Sequence, residues 1–351
     1  MRTFTWVLLG GMVALVTSLG LSGWIWYATL DLEKEPRADP LALAAELPYL
    51  QLQTPERRGR ILAVVTSTGR FPDNGKRAGY ELTELSRAYW VFTVNGYEVD
   101  VASPMGGAPE MVVDSDDVTD ADYAFLNDPD IRRKLATTLP LAQVDPERYA
   151  AVYFVGGKGT MFDFPHNPDI ARIVSAIDAR NGVVGAVCHG PAALVGVLRE
   201  DGSPWLRDRQ VTGFTNAEEL FLIPEARDRF PFLLQDELIA HGATFHEAPM
   251  YLGHTIVDGR LVSGQNPWST WEVAETMIRV LGHEPLPREV TPEEVSVSLL
   301  HVYRREGLGA AIALKREAPR ADKRLLLMHA VVAAMQWELR SAWQLQRLAR
   351  V

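Results

Sequence analysis

The chain has 351 residues, which is enough for one large α/β domain with appendages or for two domains. Its formal net charge of −10 argues against nucleic acid as a partner, because binding to a phosphate backbone needs a basic surface. The single cysteine excludes an intramolecular disulfide, and no Cys/His cluster has the spacing of zinc ligands. We therefore predict no metal site.

The N-terminal segment is apolar over a long stretch. Residues 3–30 carry no charged side chain, which is enough for a helix to cross a bilayer, and aromatic residues near both ends resemble an interfacial belt. We predict a transmembrane anchor over residues 1–30, in contact with the membrane through residues 5–28. Arg2 before the span and acidic residues after it place the N-terminus in the cytoplasm and the α/β domain outside. A cleaved signal peptide is the alternative, although no clear small-x-small cleavage site follows.

The remaining chain separates into three predicted regions. Residues 31–58 are polar and rich in proline, which is typical of a linker. Residues 59–285 alternate short apolar runs with amphipathic segments, and residues 286–351 form a helical C-terminal extension. The strand-helix-strand order predicts a flavodoxin-like, doubly wound α/β fold with a mainly parallel sheet and helices on both faces. The predicted strands are 61–65, 97–102, 149–155, 183–187, 210–212 and a hairpin over 255–263, and the predicted helices are 79–95, 168–181, 232–241, 266–281, 293–315 and 321–350.

One stretch points directly to chemistry: Gly182-Val-Val-Gly-Ala-Val-Cys-His-Gly-Pro-Ala-Ala-Leu194. The apolar strand ends at Cys188, and a helical segment begins after the Gly-Pro pair, as in a nucleophile elbow. A cysteine at a helix N-terminus has its thiolate favoured by the helix dipole. The alternative is that Cys188 is a small buried hydrophobic residue and that His189 is structural.

Three further elements are candidates for the site. Glu84 lies beside the apolar stripe of its predicted helix, and an inward-facing carboxyl would have a raised pKa and would donate a hydrogen bond to a thiolate. Glu219 stands three residues after Asn216, which fits a capping box and needs no catalytic role. Gly156 and Gly157 follow an apolar strand, and their N–H groups could form an oxyanion hole. Sites of parallel sheets lie beyond the carboxyl ends of the strands, so the glycine loop and the cysteine are expected together.

These residues carry a family resemblance. Gly185-Ala-Val-Cys-His-Gly-Pro-Ala192 resembles the nucleophile segment of the ThiJ/PfpI superfamily, which has the class I glutamine amidotransferase-like fold. The resemblance covers about residues 58–283, and within the superfamily the sequence is most similar to the glyoxalase III and stress chaperone-like subgroup. The other matching stretches are Gly79-Tyr-Glu-Leu-Thr-Glu-Leu85, Gly96-Tyr-Glu-Val-Asp-Val-Ala-Ser-Pro104, Gly156-Gly-Lys-Gly-Thr-Met-Phe-Asp163, Val211-Thr-Gly-Phe-Thr215 and Asp258-Gly-Arg-Leu-Val-Ser-Gly-Gln-Asn-Pro267.

The resemblance implies a catalytic group of four residues. Cys188 is the nucleophile and His189 its partner, while Glu219 orients His189. Glu84 hydrogen-bonds the sulfur or shuttles a proton.

The resemblance also implies an oxyanion and substrate site. The N–H groups of Gly157 and His189 would hold the oxyanion, and Gly156 and Lys158 would line the substrate pocket. The sequence departs from the family at two places: Lys158 stands where relatives often have His, and Arg87-Ala88 replaces a common His-Pro. Both positions are expected to border the pocket, so they bear on the identity of the substrate.

The implied activity is a glutathione-independent conversion of a 2-oxoaldehyde, such as methylglyoxal to lactate, through a hemithioacetal on Cys188. It requires no cofactor. A cysteine amidase or peptidase-like hydrolase is one alternative, and a stress chaperone with Cys188 as a redox sensor is another. A small-molecule aldehyde is the expected partner, and a homodimer is expected because relatives are often dimers.

Overall fold

The structure is a computed structural model that describes residues 32–351 except 53, 55, 115, 116 and 319. It divides into two compact units. One unit is Ala38–Val290, and the other is Thr291–Val351 together with residues 32–37. The domain boundaries predicted from the sequence stay predictions.

A seven-stranded sheet forms the centre of the first unit. In chain order the strands of the described residues are β1 (Gly59–Val64), β2 (Tyr80–Glu81), β3 (Tyr97–Ser103), β4 (Met111–Val112), β5 (Leu139–Pro140), β6 (Ala151–Phe154), β7 (Val183–Val187), β8 (Gln210–Val211), β9 (Thr244–Phe245), β10 (Thr255–Asp258) and β11 (Leu261–Gly264).

The order of strands across this sheet is β10-β11-β7-β6-β1-β3-β5. All neighbours are parallel except the β10–β11 hairpin. From β1 the chain goes outward to β3 and then returns across β1 to build β6, β7 and β11. This is the flavodoxin-like order, so the predicted doubly wound, mainly parallel α/β fold is confirmed. The strand predicted at 210–212 forms β8, but it pairs with β9 in a separate small sheet.

The helices cover both faces of the sheet, because right-handed crossovers in opposite directions from β1 place them on opposite sides. Most predicted helices of this unit are present with shifted ends. Among the described residues, the α-helices of the first unit are α1 (Pro48–Gln51), α2 (Leu82–Val94), α3 (Asp120–Asn127), α4 (Pro129–Ala136), α5 (Thr160–Asp163), α6 (Pro168–Ala179), α7 (Asn216–Leu222), α8 (Ala226–Arg229), α9 (Leu234–Ala240) and α10 (Thr270–Val280). Those of the second unit are α11 (Pro292–Glu306), α12 (Leu308–Glu317), α13 (Lys323–Met335) and α14 (Leu339–Arg350).

The core lies around β6 and β7, which are buried along their whole length. Their near-continuous apolar sequences fit strands that are covered on both faces. Gly185 in β7 packs against α10, where an added Cβ would collide with the sulfur of Met277. The rigid middle of the sheet therefore holds the loops that follow β6 and β7.

Part of the predicted linker packs on the first unit. The N–H of Asp39 donates to Oδ1 of Asp120 at 2.7 Å, and Nδ2 of Asn127 donates to the carbonyl of Pro40 at 2.9 Å. Leu50 in α1 is buried. Residues 39–50 are therefore held by the α/β unit.

The second unit differs from the prediction of two long C-terminal helices, since residues 292–350, apart from residue 319, form four helices. The break between α11 and α12 falls at Gly307, whose φ of 87° lies in the left-handed region where glycine carries little strain. The break between α13 and α14 falls after Trp337, whose φ is 64°. Periodicity alone did not predict either turn, because the apolar pattern continues across both.

The predicted membrane anchor lies outside the described residues. Within the part of the chain that the structure describes, no helix is long and apolar enough to cross a membrane. The sequence-based localisation as a single-pass membrane protein, with the N-terminus in the cytoplasm and the α/β domain outside, is wrong on this finding.

Candidate active site

Cys188 sits on a strained turn at the carboxyl end of β7. Its φ of 58° lies in the left-handed region, which costs a non-glycine residue energy and is found at functional sites. The turn is held on both sides, because the Cys188 N–H donates to Gly264 O at 2.9 Å and its carbonyl accepts from Phe214 N at 2.8 Å. Gly190 has no room for a Cβ against the Phe154 carbonyl. The backbone therefore fixes where the thiol points, as in a nucleophile elbow.

The residues after the cysteine differ from the expectation. Gly190–Leu194 is a 3₁₀ helix of five residues rather than an α-helix. A turn this short has few aligned peptide dipoles, so the predicted stabilisation of the Cys188 thiolate by a helix dipole is weak here.

His189 links Cys188 to Glu219. Its Nδ1 lies 3.3 Å from the Cys188 Sγ, and its Nε2 lies 2.5 Å from Oε2 of Glu219. A carboxylate can only accept a hydrogen bond, so Nε2 carries the proton and Nδ1 is left to accept the thiol proton. All three side chains are buried. The arrangement can take a proton from sulfur and stabilise the imidazolium that forms.

Glu219 is available to His189 because its neighbour caps the helix. The sequence suggested a capping box from Asn216 to Glu219, but the N-cap of α7 is Thr215 and the third helical residue is Glu218. The Glu218 carboxylate accepts from Thr215 N at 3.0 Å and from Tyr251 N at 2.7 Å. It also accepts from Nδ2 of Asn266 at 2.9 Å. Glu218 thus has the structural role, and Glu219, one position on, turns toward the site.

Glu84 lies on the other side of the sulfur. It is fully buried on α2, where its Oε2 accepts from the Gly156 N–H at 2.8 Å and its carboxyl interacts with the Cys188 thiol. Tyr153 anchors this turn of the helix by donating to the Glu84 carbonyl at 2.8 Å. Burial first, and then the charge of Glu81, raise the pKa of Glu84 well above its usual value. Burial therefore favours the protonated form of the Glu84 carboxyl beside the sulfur.

The thiol of Cys188 is also held in its protonated form. Burial is the largest cause that raises its pKa well above the usual value, followed by the charges of Glu84 and Glu81. The resting nucleophile is a thiol that must pass its proton to His189 before it attacks.

Glu81 was not singled out from the sequence. It is the residue before α2, and burial raises its pKa while the nearby charges of Lys158 and His189 lower it. Its neighbours Tyr80 and Gly79 meet the glycine loop, which brings it to the site through β2. A single carboxyl in a strand of two residues gives no periodic signal, so only the fold reveals it.

The glycine loop presents backbone donors to the site, but the two glycines Gly156 and Gly157 do not act together as the pair of donors. The Gly156 N–H is used by Glu84. The N–H groups of Gly157 and His189 donate to no described residue. Thr160 ties the two segments together, since its Oγ1 lies 2.8 Å from the Gly157 carbonyl and 3.2 Å from that of His189. The two remaining N–H groups are thus available for an oxyanion.

The two departures from the family pattern have different positions. Lys158 is half-buried and lines a cavity next to the site. Arg87 was expected to border the pocket, yet it is 1% exposed and lies with its Nε 3.6 Å from Oδ2 of buried Asp122. Its guanidinium also donates to the carbonyl of Asp117 at 2.8 Å. Arg87 therefore stabilises the packing of α2 on α3 and does not line the cavity.

Comparisons with known proteins identify the family of this chain. The DJ-1/PfpI family profile matches residues 77–280. The chain is 33% identical over 230 residues to the glutathione-independent glyoxalase HSP31 of Saccharomyces cerevisiae, covering 63% of this chain and 97% of that protein. It is 29% identical over 226 residues to Glyoxalase 3 of Candida albicans, covering 62% of this chain and 96% of that protein.

Two solved structures share the fold. The Rapid Encystment Protein of 24 kDa from Francisella tularensis has a TM-score of 0.60 and 32% identity, over 64% of this chain and all of that one. Glyoxalase III from Candida albicans has a TM-score of 0.59 and 28% identity, over 64% of this chain and 98% of that one.

The fold and the site together define a doubly wound α/β protein with a cysteine-histidine-glutamate arrangement at the carboxyl edge of its sheet. The chain belongs to the DJ-1/PfpI family. The predicted resemblance to the ThiJ/PfpI superfamily and its glyoxalase III subgroup is confirmed.

Proposed function

We propose that this protein is a glutathione-independent glyoxalase that converts a 2-oxoaldehyde such as methylglyoxal into the corresponding 2-hydroxy acid. The relatives named glyoxalases support this proposal. The observation that carries it is the hydrogen-bonded series from Cys188 through His189 to Glu219, with the Glu84 acid beside the sulfur.

The first step forms a carbon–sulfur bond. His189 accepts the thiol proton at Nδ1, and the Cys188 sulfur adds to the aldehyde carbon. The carbonyl oxygen becomes an oxyanion that accepts from the N–H groups of Gly157 and His189. The proton on His189 then moves to this oxygen, which gives a neutral hemithioacetal and restores the neutral imidazole.

The second step moves a hydrogen between the two carbons of the substrate. His189 removes the proton from the former aldehyde carbon, the electron pair forms a carbon–carbon double bond, and the neighbouring carbonyl oxygen takes up a proton from solvent, which gives an enediol. Glu84 hydrogen-bonds the sulfur as a neutral acid and does not repel the electron-rich enediol. His189 returns a proton to the second carbon while the hydroxyl on the first carbon releases its proton to solvent, and this leaves a thioester of the hydroxy acid on Cys188.

The last step is hydrolysis. Water attacks the thioester, the carbon–sulfur bond breaks, and the hydroxy acid leaves as the thiol regains its proton. The sum is one aldehyde and one water giving one hydroxy acid, so no external oxidant or reductant is needed.

The test incubates the full chain with methylglyoxal in the absence of glutathione and follows aldehyde and lactate by NMR. In D₂O the product should carry deuterium at carbon 2, because the enediol proton exchanges with solvent through His189. A Cys188→Ser variant should fold and lose the activity. If a folded wild-type protein forms no lactate, the proposed reaction is wrong. If Cys188→Ser forms as much lactate as wild type, Cys188 is not the nucleophile.

The predicted homodimer stays a prediction.

A further inference from the structure

A cavity of about 410 Å³ opens beside the site. Its lining contains four cationic side chains and one acidic side chain, so it carries a positive surplus in a chain whose net charge is −10. The charged lining residues are Lys76, Arg77, Lys158, Arg229 and Glu225.

The cavity is built by the same loops that carry the candidate catalytic residues. Lys158 directly follows Gly157, and Ile223-Pro224 follows the helix α7 that carries Glu219. The ring of Phe71, in the cavity wall, lies 5.3 Å from that of Phe230, which lies 6.2 Å from His189. One aromatic ring thus separates this wall from the catalytic imidazole.

The cations of the cavity make few direct contacts with acidic groups, although the charge of Lys158 acts on the carboxyl of Glu81. The ammonium groups of Lys158 and Lys76 form no hydrogen bond or ion pair with the described residues. Arg77 reaches Glu110 only at 3.7 Å, and Arg229 reaches Asp73 at the same distance. These contacts are longer than charge-assisted hydrogen bonds of about 2.8 Å, so both guanidinium groups keep donors for another anion.

A cluster of like charges at the wall of a site is unfavourable unless it binds an opposite charge. Lys158 is half-buried, which lowers the screening of its charge by water. Arginine can bind a carboxylate or phosphate through two parallel hydrogen bonds, and lysine adds a point charge. The volume is in the range of small-molecule pockets, which span about 300–1,000 Å³.

We propose that this cavity is a subsite for an anionic group of the substrate, so that the preferred substrate is a small carbonyl compound bearing a carboxylate or phosphate. Its aldehyde end meets Cys188 while its anionic end binds Lys158 and the neighbouring cations. This inference rests on the proposed function, and it narrows the substrate class. Carboxylate and phosphate share the chemistry that the cavity recognises.

The test compares three 2-oxoaldehydes at low ionic strength with the full chain. They are neutral methylglyoxal, 4,5-dioxopentanoate as the carboxylate, and the phosphate ester of 3-hydroxy-2-oxopropanal. We expect kcat/KM to be at least about tenfold higher for one anionic substrate than for methylglyoxal, and the preference to shrink as added salt screens the charges. The substrate that gains most tells carboxylate from phosphate.

The substitution Lys158→Met keeps the length of the side chain and removes the charge. It should lower the ratio of kcat/KM for the anionic over the neutral substrate at least about fivefold, through KM more than kcat. The exposed Arg132, on helix α4 outside this cavity, provides the control, since Arg132→Met should leave the ratio unchanged. A ratio near one for wild type, or a ratio that Lys158→Met does not change, overturns the subsite.

A binding measurement separates this inference from the proposed reaction. Inorganic phosphate and acetate should bind the wild-type protein more tightly than Lys158→Met in calorimetric titrations. If phosphate or acetate binds through Lys158 but no 2-oxoaldehyde is consumed, the subsite stands and the proposed reaction fails. If methylglyoxal is consumed but neither anion binds, the subsite fails and the reaction stands.

Discussion

Nε2 of His189 lies 2.5 Å from Oε2 of Glu219, and this contact exists because Glu218, one residue earlier, caps the helix that carries both acids. The two neighbouring carboxyls thus have different roles. Glu218 gathers backbone and side-chain donors from three segments, whereas Glu219 orients the imidazole beside Cys188. This division of labour leads to two opposite mutational predictions.

Glu219→Gln should reduce turnover and leave stability nearly unchanged. The amide keeps the shape of the side chain but cannot compensate an imidazolium at His189, so kcat should fall by about 10²–10⁴-fold. The rate of methylglyoxal consumption and the midpoint of urea unfolding are the two measurements. A variant with wild-type kcat would mean that Glu219 does not act on the imidazole.

Glu218→Ala should instead reduce stability. The substitution leaves buried donors of Thr215, Tyr251 and Asn266 without their acceptor, and each unsatisfied group costs about 1–3 kcal/mol. We expect a total loss of about 3 kcal/mol in the free energy of unfolding, because the donors partly find water. Denaturant titration measures it, and a loss below about 1 kcal/mol would contradict the capping role.

Much of the fold followed from the sequence because its signals are local. The run Val183–Val187 is apolar over the length of a strand, and the Asp258-Gly259 pair marks the hairpin of β10 and β11. Alternation of such runs with amphipathic helices predicts the doubly wound order. The sequence did not predict the helix breaks at Gly307 and Trp337, because each break depends on a single backbone conformation inside a continuing apolar pattern.

The site was predictable only in its residue types. The motif around Cys188 and the position of Glu84 indicated side chains that the structure brings together, but the protonation of these side chains depends on three-dimensional burial. The thiol was expected to be favoured as thiolate, whereas burial raises its pKa. Glu81 and the cation cluster at Lys158 come from segments distant in sequence, so no spacing could place them together.

Glu84 should make stability depend on pH. Its pKa in the folded protein is raised well above 4.5, so above that pH the unfolded chain has released a proton that the folded protein still binds. The free energy of unfolding should therefore fall as pH rises from about 4.5 toward the folded pKa, by at most about 1.4 kcal/mol per pH unit.

Glu84→Gln provides the comparison for this pH effect. Glutamine resembles the protonated acid, since its carbonyl accepts from Gly156 and its amide donates toward sulfur, but it does not titrate. Urea titrations between about pH 5 and pH 8 should show that the free energy of unfolding of the variant increases relative to that of wild type as pH rises. A constant difference across this range would show that Glu84 has an ordinary pKa.

The Cys188 thiol should ionise late in the resting protein. Because burial raises its pKa, the ultraviolet absorbance of the thiolate should appear only above about pH 9. The chain has a single cysteine, so the signal has one source, and Cys188→Ser gives the blank. A thiolate already present at neutral pH would mean that the sulfur does not wait for proton transfer to His189.

Gly156→Ala should disrupt the site without replacing a catalytic side chain. A Cβ at this position would lie 2.6 Å from Oε2 of Glu84 and 2.9 Å from the Cβ of Cys188, in a buried turn with little room to relax. Glu84 must move, the Gly156 N–H loses its acceptor, and the sulfur shifts from His189. We expect kcat to fall at least about 10²-fold, since a displacement near 1 Å costs that much in an oriented site.

The control for this substitution is Gly309→Ala, where nothing lies within 4 Å of an added Cβ. Gly309 is the second residue of helix α12, so alanine should stabilise that helix by at most about 0.5–1 kcal/mol and leave turnover unchanged. Wild-type kcat in Gly156→Ala would show that the carboxyl of Glu84 is free to move away from the sulfur without loss. A fall in kcat with an unchanged unfolding midpoint would instead confine the effect to the position of Glu84 against Cys188, which is where the close contacts lie.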